Sequence, residues 1–343
     1  MSTSTTEAST FEIGMHEKAI VVDGTCPGPH WRANLETWLA GGATSCVVSI
    51  GASQAPEGAL YDIADTYRFI HSDSRLRLAT SVSDIRAAKA AGQLAVVLQF
   101  QGTEPIAYEP ALIEAYWRLG VRIVQLAYNR RGPVCDGCEE PNDAGLSVLG
   151  RRVIGELNRV GIVVDISHTG MKSARQAVDL STSPVIASHS NAAAVHQNQR
   201  NLTDDVIRAI AGSGGVIGIN GWPSFVSAAG SPTLDEYIDH MVYIGALVGL
   251  EHVALGLDYW NGTRAQYDEH IASGTWHPDN YPPPPWPYPQ GIGDASGFPR
   301  LTERLLERGF AASDVRAILG ENWLRVYGKV WQDESDLTKG AAA

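Results

Sequence analysis

Two short β-branched runs each close on a histidine. IVVDISH (162–168) ends in His168, and PVIASHS (184–190) carries His189. One βα unit of sequence separates them. As neighbouring parallel strands, the two runs bring both imidazoles to one strand-end rim, where an α/β enzyme holds a metal or a catalytic group. Arg200 follows in the next loop. Other predicted strand ends supply Asp23-Gly24-Thr25-Cys26, Gln101-Gly102, Tyr128-Asn129 and Asp258. Two histidines from adjacent strands and an aspartate from the last strand form a metal-hydrolase layout. The histidines bind a divalent metal as neutral imidazoles, and the carboxylate orients or deprotonates a water. Arg200 offers a bidentate fork to a substrate carboxylate. The alternative is two satisfied structural histidines at strand ends.

The remaining chemistry-bearing residues point less clearly. The chain has four cysteines, Cys26, Cys46, Cys135 and Cys138. That number in 343 residues is no disulfide framework. Cys135 and Cys138 have CxxC spacing, a weak zinc signal without a second pair. His71, His240, His252, His270 and His277 lack partner spacing and read as surface or helix residues. Asp165 reads as a buried structural acid bonded to backbone. Trp31, Trp222 and Trp260 suit either a pocket wall or the core.

The elements that must position these groups alternate strand and helix almost throughout. Strands are predicted over 18–25, 43–51, 94–102, 121–129, 162–168, 184–190, 215–221 and 252–260, with helices between them. The stretch 57–92 reads as helical with a break near 72–81, and Thr203 as a helix cap with Asp204 and Asp205 in the first turn. Eight apolar runs with intervening helices predict a (β/α)8 TIM-type barrel. A doubly wound open sheet is the alternative, and the first βα turn lacks the GxGxxG of a dinucleotide fold. After strand eight, 261–299 is rich in Pro, Gly, Trp and Tyr, and includes YPPPPWPYP. Helices are still to follow it, so a lid or rim over the barrel mouth is expected rather than a linker. One domain is expected over 13–332, with disordered tails at 1–12 and 333–343.

The net charge of −12 excludes the basic stripe that nucleic-acid binding requires. The opening MSTSTTEAST has neither the basic nor the apolar part of a secretory signal, and no run is long and apolar enough to span a membrane. A cytoplasmic protein with reduced cysteines is the expectation.

Taken together, GLSVLGRRVIGELNRVGIVVDISHTG, SPVIASHSNAAAV, QRNLTDDVIRAI, HVALGLDYWNG and ILGENWLRVYGKVW resemble the membrane (renal-type) dipeptidase family of zinc peptidases, within the amidohydrolase superfamily. The resemblance runs from Ile20 to Trp331. It implies two zincs sharing a bridging Glu. One zinc is completed by a His-x-Asp at strand one, the other by the histidines matching His168 and His189. It also implies that Asp258 works with the nucleophilic water, that Arg200 binds substrate with help from a His after strand four, and that the protein is a homodimer.

The departures are chemical. Thr25 and Pro27 stand where the family has its strand-one His and Asp; threonine is a poor zinc ligand, and proline has no donor side chain. Gln101 replaces the bridging Glu, and Tyr128 replaces the substrate-contacting His. Half of the binuclear site survives. The leading expectation is a metal-dependent hydrolase cleaving an amide bond of a small, carboxylate-bearing or dipeptide-like substrate. His168, His189 and Gln101 hold one Zn²⁺, Asp258 is the base, and Tyr128 donates to the developing oxyanion. Two ions or none are the alternatives. Cys26, His30, Cys135, Cys138 or His196 rebuilding the site is a second reading, with Glu104 as a stand-in carboxylate. A metal-free nucleophile, Cys26 paired with a histidine, is a third. A non-hydrolytic lyase or isomerase, or an inactive binding protein, is the runner-up function.

Overall fold

The structure is a computed structural model that describes residues 14–51 and 54–333, apart from the side chains of 29 and 30. The expected tails, 1–12 and all but the first residue of 333–343, lie outside the described residues. Among the described residues, nine parallel strands carry the fold: β1 (Val22–Cys26), β2 (Ser45–Ser49), β3 (Leu76–Leu78), β4 (Leu94–Phe100), β5 (Val121–Gln125), β6 (Val163–Asp165), β7 (Val185–Ile186), β8 (Ile217–Ile219) and β9 (Val253–Leu255). The main ladder runs β1-β2-β4-β5-β6-β7. A bridge between Ala187 and Ile217 carries it to β8, which pairs with β9. This is the expected (β/α)8 TIM-type arrangement, with every predicted strand present in shorter form.

β3 is the addition. It pairs with the first half of β4 (Leu76 opposite Leu94), while β5 pairs with the second half (Phe100 opposite Val124). It occupies the break predicted inside 57–92. Its Leu-Arg-Leu is too short and too little buried to register as a strand in sequence.

Inward-facing Val22, Val47, Val97, Ile123, Val163, Ile186, Val216 and Ala254 share one core cluster with the C-terminal helix Asn322–Val330. Trp323 reaches from that helix into the barrel and donates its indole N–H to the Leu255 carbonyl at 3.0 Å. A Cβ on Gly24 would lie 2.5 Å from its ring, so glycine is required on β1 to admit it. The outer helices face inward by spacing. In Val148–Val160, Val153, Ile154, Leu157 and Val160 are buried, Ser147 caps the start, and Gly161 at φ 77° ends it. Thr203 departs from expectation: it stands at an N-cap position, but its hydroxyl turns to Asp205 rather than to a helix N–H.

The seam between β9 and β1 is closed by a side chain. Asp23 accepts the Leu257 N–H at 2.9 Å through Oδ1 and the Trp38 Nε1–H at 2.9 Å through Oδ2. The Pro-rich stretch 261–299 contains an unexpected helix, Arg264–Ala272, started by a Thr263–Gln266 capping box.

Candidate active site at the strand ends

Three residues at strand ends hold left-handed backbone: Asn129 (φ 59°), His168 (φ 61°) and Asp258 (φ 55°). Non-glycine residues rarely sit there, and such strain concentrates where function over-determines geometry. His168 Nε2 and His189 Nε2 face one another at 2.8 Å. The opposite ring nitrogens are both engaged. His189 Nδ1 lies 2.7 Å from Ser188 Oγ, whose proton is committed to Asp165 Oδ2 at 2.5 Å. Asp165 also accepts the Ser167 and Ser188 backbone N–H groups, so it is the buried structural acid expected. His189 Nδ1 therefore donates to Ser188. His168 Nδ1 lies 2.6 Å from Asn129 Oδ1, an acceptor, and donates in turn.

Both Nε2 atoms are thus bare. Burial first, and the nearby Arg200 charge second, hold both imidazoles well below the usual histidine range, so both are neutral. Two lone pairs at this separation repel unless a cation stands between them. The two nitrogens are the kind of donor a divalent metal takes, two of the three protein ligands usual for a catalytic zinc, and each ring's far nitrogen already has the hydrogen-bond partner that metal-ligating histidines require.

Asp258 Oδ2 is 4.0 Å from His189 Nε2 and accepts the Asn220 amide at 3.1 Å. Burial pushes its carboxyl up to about 7, against the pull of Arg200. Arg200 is buried, donates to the His189 carbonyl at 3.3 Å, and lies over the Phe225 ring with its Nε unpartnered. Tyr128 stacks on His168 (4.1 Å between ring centroids, 23°), and its hydroxyl accepts the Trp276 indole N–H at 3.0 Å.

A family model described as membrane dipeptidase (peptidase family M19) matches residues 36–273 and 286–339. The chain belongs to the membrane dipeptidase family. Dipeptidase aclJ of Aspergillus oryzae is 30% identical over 288 residues, covering 80% of this chain and 63% of its own length. Dipeptidase verJ of Clonostachys rogersoniana is 32% identical over 274 residues, covering 78% of this chain and 63% of its own. The chain thus spans a little under two thirds of those relatives. Among solved structures, an amidohydrolase from Pseudomonas aeruginosa superposes with a TM-score of 0.86 at 30% identity, covering 94% of this chain and 99% of that one. A Rhodobacter sphaeroides metallo peptidase, liganded with a phosphinate mimic of the dipeptide L-Ala-D-Ala, has a TM-score of 0.74 at 22% identity, covering 92% and 100%. That likeness is one of fold.

In this membrane dipeptidase-family chain, Thr25 and Gln101 stand at two of the positions the sequence comparison singled out. Thr25 accepts a hydrogen bond from Gln99 at 3.2 Å, and Gln101 is buried with its Nε2 unpartnered. Among the described residues, no group of three or more His, Cys, Asp or Glu is arranged to hold a metal. The candidates for a rebuilt site are placed as follows in the described residues. Cys26 is buried beside Asn34, with its thiol pushed well up by desolvation. Cys135 is core, and His196 bonds the Ser224 carbonyl. The His30 side chain lies outside the described residues. Glu104 folds back against Gly102, and its buried Oε2 has no partner.

The CxxC stretch has a different use. Cys138 N–H donates to the His168 carbonyl at 2.8 Å, and Glu139 N–H to the Asn129 carbonyl at 2.9 Å. Gly137 lies so close to Asn129 that a Cβ there would fall 2.1 Å from its carbonyl carbon. The loop braces two of the strained strand-end residues. Trp222 and Trp260 join Trp276, Tyr281, Trp286 and Tyr288 in an aromatic cluster over the mouth. Trp31 instead packs edge-on to Phe69. His240, expected at the surface or on a helix, is helical but buried, between the Ala192 N–H and the Val226 carbonyl.

Sequence reasoning missed Ser188, Asn220, Tyr281 and the role of Asn129. Only Asn129 left a signal, as a residue tolerant of left-handed backbone at a strand end.

Proposed function

We propose that the protein is a dipeptidase-like metallohydrolase that cleaves an amide bond in a small, carboxylate-bearing substrate at a mononuclear site. The observation that carries this reading is the pair of bare Nε2 atoms of His168 and His189, beside Asp258. Those two nitrogens, with the Gln101 side chain, would hold a zinc ion, which would supply Lewis acidity. Asp258, steadied by Asn220, takes a proton from the attacking water and returns it to the leaving amine; burial keeps its affinity for a proton near what that exchange needs. Arg200 receives the substrate carboxylate, and its unpartnered Nε is one donor left for it. The Tyr128 hydroxyl accepts from Trp276, so its own proton is available to a developing oxyanion. The aromatic cluster excludes water from the reacting groups.

Elemental analysis of protein purified without added metal tests the metal, and turnover of dipeptides and N-acyl amino acids tests the reaction. About one zinc per chain with amide cleavage is expected from a single-ion site. Two zincs per chain contradict the mononuclear site, and none removes the metallohydrolase. The unpartnered Gln101 amide, in place of a carboxylate, favours a second reading: a non-hydrolytic tailoring enzyme or a binding protein on the same fold. Bound zinc with no turnover of any amide supports that reading instead.

A further inference from the structure

We propose that Asn129 is a positioning residue through which the segment over the barrel mouth controls whether His168 can bind a metal. The inference rests on the zinc reading above for its consequence, but not for its geometry.

The backbone of Asn129 is fixed from below by Gly137 and Glu139. Its side chain is fixed from above. Nδ2 donates to the Thr275 carbonyl at 3.1 Å and to the Tyr281 hydroxyl at 3.1 Å, both in the segment after β9. Oδ1 receives His168 Nδ1 at 2.6 Å, the Cys138 thiol at 3.6 Å and the Tyr281 hydroxyl at 3.4 Å. A backbone carbonyl only accepts, so Thr275 forces the amide nitrogen toward itself and the amide oxygen toward His168. His168 must then carry its proton on Nδ1, leaving Nε2 bare. Rotating the amide by half a turn would set an N–H₂ group against Nδ1. The proton would move to Nε2, and that nitrogen would no longer be a ligand.

His189 is held differently. Ser188 and Asp165 fix its proton on Nδ1, and both belong to the barrel wall rather than to the covering segment. One ligand is therefore permanently set, and the other is set only while Thr275 and Tyr281 are in place. The segment's closed position and the metal-binding form of His168 are two descriptions of one hydrogen-bond network.

The test uses the metal-free full chain, labelled at histidine nitrogen, with long-range proton–nitrogen correlation spectra reporting each ring's tautomer. Zinc chloride titrations against a competing chelator report affinity. Asn129→Gly removes the amide without straining a left-handed position, and Asn129→Asp keeps an acceptor facing His168 in a residue that tolerates the same backbone. In the wild type, both His168 and His189 are expected with the proton on Nδ1. In Asn129→Gly, His168 alone is expected to become a tautomer mixture, and zinc affinity to fall about 10- to 100-fold. Asn129→Asp restores both readouts. Tyr281→Phe combined with Trp276→Ala, which keeps Asn129 but removes its Tyr281 partner and loosens the segment, should reproduce the His168 mixture. A wild-type His168 protonated on Nε2 overturns the proposal. So does a His168 signal that ignores both Asn129→Gly and the segment variant. A wild type that binds no zinc yet holds His168 in the Nδ1–H form supports the positioning role and defeats only the metal reading.

Discussion

A ring nitrogen ligates a metal only when the other nitrogen's partner has chosen the proton's place, so the site depends on acceptors as much as on histidines. His189→Ala removes one of two Nε2 donors from a set that has no third His, Cys, Asp or Glu among the described residues. Zinc content is expected to fall from one per chain to none, read by elemental analysis with the fold checked by circular dichroism; full retention of zinc would mean the ligands are elsewhere. Asp258→Asn keeps a left-handed-tolerant residue and an acceptor for Asn220, so fold and metal should persist. Turnover should fall by about 10²–10⁴, the usual worth of a positioned acid–base group. An unchanged rate removes Asp258 as the proton carrier. That His168, His189 and Asp258 meet at one rim was legible because strand periodicity puts residues at predictable strand-end positions. Ser188 and Asn129 were not, because which polar side chain accepts from a ring nitrogen depends on how neighbouring loops close over it.

At the scale of elements, the same distinction holds. The strands with continuous β-branched runs were readable, whereas β3, a half-exposed Leu-Arg-Leu, forms only because the first half of β4 leaves an edge to pair with. The CxxC spacing suggested metal chemistry; its geometry shows a tight loop, with Gly137 against Asn129. The segment 261–299 was expected to be a lid or rim rather than a linker, and ring contacts tie it down. Trp276 stacks on Tyr281 (4.6 Å, 8°) and on His270 (4.3 Å, 21°) while donating to Tyr128. Trp276→Ala deletes the ring that joins these three. Limited proteolysis should cut the variant within 275–290 at least about tenfold faster than the wild type, as expected for local opening, while the global melting temperature moves little. Equal cleavage rates would show that the prolines alone hold the segment in place.

For the molecule as a whole, no ladder joins β9 to β1 among the described residues, and the buried Asp23 carboxylate bridges that seam. Burial raises the Asp23 carboxyl from 3.8 to about 6, even with hydrogen bonds from Trp38 and Leu257 pulling it down. A folded-state pKa above the unfolded one stabilises fully below the unfolded value. That stabilisation is lost as pH rises through the folded value. Asp23 should therefore cost the fold up to about 3 kcal/mol between pH 4 and 7, at roughly 1.4 kcal/mol for each tenfold difference in proton affinity between the folded and unfolded chain. Asp258 and Asp165 are raised by burial as well, so the wild-type slope alone does not isolate Asp23. Asp23→Asn does. Asparagine cannot titrate, and it leaves Trp38 Nε1–H facing an N–H₂ group, a pH-independent loss of about 1–3 kcal/mol. Urea unfolding of chelator-treated protein, stepped from pH 4 to pH 7, should show the wild type losing stability more steeply than Asp23→Asn, with the two curves converging toward neutral pH. Parallel curves would mean that Asp23 ionises normally and that the seam is held by packing instead.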